Sequence, residues 1–155
     1  MSRRTLALAA VVLALATACG GGSVVVTPSA PLSPPASPGP ASCSPSTSLV
    51  LSADGLDYDL HCLSVPAGAP AALAFANNDA GEVHNVAVYR WDSCLAKAAR
   101  AGTYGACPDP NAGRLFVGAV IGYGHTTYHM PAFTPGRYTF LCSVHPFMRG
   151  VLRVR

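Results

Sequence analysis

Three residues near the end of the chain, Cys142, His145 and Met148, set a thiol, an imidazole and a thioether three positions apart in "LCSVHPFMRG", Leu141 to Gly150. A second imidazole, His84 in "HNVAVYR", stands 58 positions upstream of Cys142. Two imidazoles and a thiolate with a weak thioether form a donor set that suits copper in both oxidation states. Zinc also accepts Cys and His, but a thioether is a poor fourth ligand for it. Trigonal His2Cys with a distant axial Met is the blue-copper arrangement. Taken singly, each residue has a plainer reading. Cys142 would be a small buried hydrophobe, Met148 core filler and His84 a strand histidine. Their joint occurrence points to metal chemistry.

Such a set needs elements that bring His84 to the loop. From Leu49 onward the sequence runs in short apolar or alternating segments: "SLVLSA", "LDYDLHCLSV", "AALAFANN", "HNVAVYR", "RLFVGAVIG", "TTYHMPA", "GRYTFLC" and "GVLRVR". Turn residues separate them, as at Asp54-Gly55, Asn77-Asn78-Asp79 and Pro135-Gly136. This pattern predicts an all-β, antiparallel sandwich of about eight strands. Trp91 to Gly113 interrupts it, with a short helix expected in "SCLAKAARAG". Alternation puts Tyr138, Phe140 and Cys142 on one face, and His84, Val86 and Val88 on another. Both would then stand where a strand meets the edge of the core, so two strand ends can assemble the site.

The cysteines are 19, 43, 62, 94, 107 and 142. Four of them, outside the motif and outside Cys19, allow three connectivities. The pairs favoured are Cys94–Cys107, closing the irregular insertion, and Cys43–Cys62, pinning the domain's first residues to a strand. Cys142 is left unpaired in an oxidising compartment, where coordination to a metal would protect it.

That compartment is read from the N-terminus. Ser2-Arg3-Arg4 is a short basic start, and "LALAAVVLALA", Leu6 to Ala16, is an apolar run too short to span a bilayer. "LATACG" places small residues before Cys19 and resembles a lipobox, with Ala16 where leucine is usual. The expected organisation is a lipoprotein signal over 1–18, a Gly/Pro/Ser-rich tether over 19–48 beginning at a lipidated Cys19, and a folded domain over 49–155. Export would place the domain at the cell surface or in the periplasm, where disulfides persist. Without Arg3 and Arg4 the chain carries eight Lys/Arg against seven Asp/Glu. A balance of +1 gives no basic footprint for nucleic acid.

The segment His145 to Gly150, "HPFMRG", with its Cys-x2-His-x2-Met spacing, resembles the ligand loop of the cupredoxins, and among them that of amicyanin. "HNV" at His84 to Val86 resembles the family's upstream ligand motif. The resemblance implies a Greek-key sandwich and one copper per chain, cycling between Cu(I) and Cu(II). It implies His84, Cys142 and His145 as equatorial ligands, Met148 as axial ligand, and Asn85 holding the two ligand segments together. It also implies a monomeric electron carrier rather than an enzyme, passing single electrons through the His145 edge. Pro146 and Phe147 would form a small apolar contact for transient redox partners. Ser143 and Val144 replace a pair that usually contains proline, and amicyanin lacks both the tether and the bridged insertion, so amicyanin's own partner is not carried over. The alternative is copper storage or delivery by the same site, although no Met-rich or His-rich tract supports it. The chain has no His-x-His pair for a trinuclear centre. His61, His125 and His129 are expected away from the metal, Met130 in strand packing, Arg149 as an exposed loop arginine, and "DGLDYD" at Asp54 to Asp59 as a solvated hairpin.

Overall fold

A computed structural model describes residues 43–103 and 107–155. The expected signal segment and the expected tether up to residue 42, Cys19 included, lie outside the described residues.

Alternation builds the first sheet. β1 (Ser48–Asp54) turns Leu49, Leu51 and Ala53 inward, and β4 (Ala71–Asn77) does the same with Ala71, Leu73, Phe75 and Asn77. They are joined by the two-residue β2 (Asp57–Tyr58) and by β7 (Gly124–Met130) in the order β2-β1-β4-β7. The second sheet contains β3 (Cys62–Val65), β5 (Ala87–Arg90), β6 (Arg114–Val117), β8 (Gly136–Leu141) and β9 (Arg149–Val154), ordered β3-β9-β8-β5-β6. The inward residues of both sheets interdigitate in one core that includes Tyr58, Phe75, Val86, Val88, Phe140, Cys142 and Met148.

Among the described residues the sandwich has nine strands rather than eight, and both sheets are mixed rather than purely antiparallel. The extra strand comes from "LDYDLHCLSV", which splits into β2 in one sheet and β3 in the other. The same split explains the parallel pairs. After β2 the chain crosses to the second sheet as β3, then returns as β4, so β4 runs beside β1 in the same direction. β3 likewise runs parallel to β9. A pattern of alternation reports which face of a strand is apolar, not which sheet the strand joins.

The expected helix is α1 (Cys94–Ala101), capped by the Ser93 hydroxyl, which accepts from the Ala96 N–H, and by Gly102 in the left-handed region. Its Ala96 and Ala99 are fully buried against Ala87, Tyr89 and Leu141, the outward residues of β5 and β8. Small side chains let the helix lie close to the sheet. The strand that leads to Cys142 is therefore covered on both faces, which makes it a rigid support.

The hairpin at "DGLDYD" is present, pairing Ala53 with Tyr58 and Asp54 with Asp57. It is not wholly solvated, because the register sends Tyr58 into the core beside Ala53. Cys43 is bonded to Cys62, and Cys94 to Cys107, with Cα separations of 5.9 and 5.7 Å. Residues just before β1 are also fastened to the domain: the Ser46 N–H donates to the Ser64 carbonyl, and the Ala72 N–H to that of Thr47.

Candidate metal centre

His84 lies just before β5, in an isolated antiparallel bridge with Ile121 in which each N–H donates to the other's carbonyl. Cys142 follows β8 directly. Alternation carries Tyr138, Phe140 and Cys142 along one apolar face, so the thiol arrives inside the core. Between Cys142 and β9 the loop closes on itself. The Cys142 N–H donates to the Met148 carbonyl at 3.0 Å, and the Met148 N–H to that of His145 at 2.9 Å. The three-residue spacing in the sequence is thus one tight turn, which brings Sγ of Cys142 and Nδ1 of His145 together and buries Met148 in the core. Gly150 is required just after it, because a β-carbon there would lie 2.2 Å from Cζ of Phe140.

The result is a compact donor group. Sγ of Cys142 lies 3.8 Å from Nδ1 of His84 and 3.9 Å from Nδ1 of His145, and the two nitrogens are 3.2 Å apart. Three donors bound to a single ion at about 2.0–2.3 Å would stand roughly 3.3–3.8 Å from one another. The residues present therefore fit one shared ion. His84, Cys142 and Met148 have no exposed surface, while the His145 side chain is 18% exposed. Cys142 is the one free cysteine among the described residues.

Asn85 is the hub between the two segments. Its Oδ1 accepts from the Ser143 N–H at 2.9 Å and the Ser143 hydroxyl at 3.0 Å, and its Nδ2 donates to the Gly118 carbonyl. Its own carbonyl accepts a 2.6 Å bond from the Tyr58 hydroxyl. Burial, with the charge of Cys142 nearby, holds the Tyr58 phenol well above its ordinary pKa, so it stays a donor.

Carboxylates stand behind both imidazoles. Nε2–H of His84 donates to Asp79 at 2.8 Å, and Nε2 of His145 lies 3.5 Å from Glu82. The Gly55 N–H donated to Asp79, with further bonds from His84 and Leu56, lowers the Asp79 pKa from its ordinary carboxylate value. Tyr58, Asp79 and Glu82 join the site only through the tertiary fold. Asp79, five positions before His84 in "NNDAGEVHN", was the one available signal, and it looks like an ordinary turn residue.

The remaining candidates are dispersed. His61 is exposed, near Asp57 and the Arg149 carbonyl. His125 and His129 are exposed on β7, and Met130 is in the core. Arg149 is half-buried and starts β9, and its guanidinium donates to the Phe147 carbonyl at 2.8 Å, bracing the loop rather than extending freely.

No family model matches the chain, and no curated protein matches it. Solved structures do. A dithionite-reduced auracyanin from the photosynthetic bacterium Roseiflexus castenholzii is 27% identical, with a TM-score of 0.58 over 72% of this chain and 99% of that one. Auracyanin A, a "blue" copper protein from Chloroflexus aurantiacus, is 21% identical, with a TM-score of 0.54 over 70% of this chain and 98% of that one. Rusticyanin from Thiobacillus ferrooxidans is 19% identical, with a TM-score of 0.53 over 70% and 76%. The structural likeness extends to auracyanins and rusticyanin, so the resemblance to amicyanin stays with the ligand loop. The fold these structures share is the cupredoxin sandwich, and this chain has that fold.

Proposed function

We propose that the chain is an exported blue copper protein that carries single electrons, with one copper held by Nδ1 of His84, Sγ of Cys142 and Nδ1 of His145, and Met148 as weak axial donor. The observation that carries this reading is the convergence of the three donor atoms within 4.8 Å of one another, between two segments that hydrogen bonds lock together. Copper supplies a one-electron couple when bound. The chain's own residues hold the donors where they stand, so little need rearrange when the charge changes. Asn85 ties Ser143 to the His84 segment, Tyr58 fixes Asn85, and β8, covered on both faces, supports Cys142. The likeness to auracyanin supports the same chemistry.

His145 is the partly exposed edge of the site, and Phe147, 41% exposed, lies beside it with ring centroids 5.8 Å apart. Together with Pro146 it offers a small apolar contact of the kind that suits brief docking by redox proteins. We read the chain as a monomer and an electron carrier rather than an enzyme. Lipidation of Cys19 would anchor it on the outer side of a bacterial membrane through the 19–48 tether, with 1–18 removed as a signal and 49–155 folded. No helix among the described residues is long and apolar enough to cross a membrane.

The test is addition of Cu(II) to the mature chain. One equivalent should give an intense visible band from the Cys142 thiolate, with the EPR signature of a blue site, and Cys142→Ser should abolish both. A colourless copper complex of the unaltered chain, or an undiminished band in Cys142→Ser, would sink the assignment.

A further inference from the structure

The two imidazoles differ in what stands behind them. His84 gives Asp79 a short bond in buried surroundings, with side-chain exposures of 0% and 15%. Glu82, behind His145, is 52% exposed and 3.5 Å away, where water and salt screen it.

Asp79 is also held from its other side. Its Oδ1 accepts from the Gly55 N–H at 2.8 Å, its Oδ2 lies 3.4 Å from the Leu56 nitrogen, and its own N–H donates to Oδ1 of Asn77 at 2.9 Å. Gly55 and Leu56 form the turn between β1 and β2, with φ of 58° and 62°. That backbone comes easily to glycine, but it crowds the β-carbon of Leu56. The carboxylate that faces both N–H groups stabilises the turn. One side chain is thus fixed at once by a strained hairpin and by a ligand imidazole.

We propose that Asp79 is a positioning residue for the metal centre: it keeps His84 in the tautomer whose Nδ1 lone pair faces Cys142, and its charge, one ring away from the ion, favours Cu(II) over Cu(I) and lowers the reduction potential. A neutral imidazole has one donor and one acceptor nitrogen, so a carboxylate that accepts at Nε2 dictates an unprotonated Nδ1. A fixed negative charge stabilises the more highly charged ion more. The inference rests on the copper reading above.

Two measurements on the full mature chain test it. In the copper-free protein, ring 15N shifts should show His84 as the Nε2–H tautomer alone, and as a mixture in Asp79→Ala. In the copper form, Asp79→Asn keeps an oxygen for the Gly55 N–H but loses the charge. The Cu(I) to Cu(II) ratio at a fixed potential should rise about tenfold, or 59 mV for a one-electron couple. Glu82→Gln should change the ratio less than threefold. A blue Asp79→Asn with an unchanged potential, or an Asp79→Ala with an undisturbed tautomer, overturns the proposal. The tautomer is read without copper, so an unaltered chain that fails to turn blue counts against the copper reading and leaves the hold of Asp79 on His84 still measured.

Discussion

The proposed ligands come from two segments built in opposite ways. Residues His84, Asn85 and Val86 have no exposed surface, and their polar groups are bonded to Ile121, Asp79, Gly118, Ser143 and Tyr58. The loop from Cys142 to Met148 is buried at its two ends and exposed between them, with His145 partly open and Phe147 open. The first segment is a socket that belongs to the core. The second is a turn whose inner side completes the proposed site and whose outer side is open to solvent. Holding an ion and exchanging an electron make opposite demands on burial, and under the proposed function they fall to different segments.

If that division is right, the two histidines should contribute unequally to folding without metal. His84→Ala removes a fully buried ring and its bond to Asp79, and should cost about 3 kcal/mol. His145→Ala removes a ring at the surface and should cost less than about 1 kcal/mol. Urea unfolding of the two copper-free variants measures both values. Equal losses would mean that the socket and the loop are not energetically distinct.

A smaller effect tests how the socket is made. Tyr58→Phe keeps the ring in the core against Phe140, with centroids 5.5 Å apart, and removes only the hydroxyl that serves the Asn85 carbonyl. Leaving that buried acceptor unmade should cost about 1–2 kcal/mol. If the socket is one connected unit, the blue band of Tyr58→Phe should also shift or broaden. A loss of stability with an unaltered spectrum would reduce Tyr58 to a core residue with no part in the site.

The loop was far more legible in the sequence than the socket. Cys142, His145 and Met148 are local to one another, so their spacing alone announces a shared role. His84 stood out once alternation placed it at a strand end, and Asn85 through the family's motif. Tyr58 was hidden by Asp57 and Asp59 on either side, which made the stretch read as solvated. Its burial depends on pairing with Ala53. Asp79 was hidden because its partners, Gly55 and His84, lie on different elements that only the tertiary fold brings to it. The parallel pairs escaped for a related reason: strand direction follows from which sheet the chain crosses to, and no local pattern carries that. Helix α1 was legible because its cap, its small buried face and its closing glycine are all local signals.

The smallest expected change in stability belongs to the outer side of the loop, and it comes with a change in function. Phe147→Ser takes away exposed apolar surface and should alter stability by no more than about 0.5 kcal/mol. The same surface is what a second molecule would cover on docking. Partial desolvation of a phenyl ring is worth on the order of 1 kcal/mol, which corresponds to a rate change of about fivefold. Electron self-exchange between oxidised and reduced copies, read from NMR line broadening, needs no identified partner and passes through whichever face brings two sites close. It should slow about fivefold in Phe147→Ser while the reduction potential stays within the change expected for Glu82→Gln. Unchanged exchange would show that electrons leave by another face, and the contrast between a holding segment and an exchanging one would then have to be drawn elsewhere on the molecule.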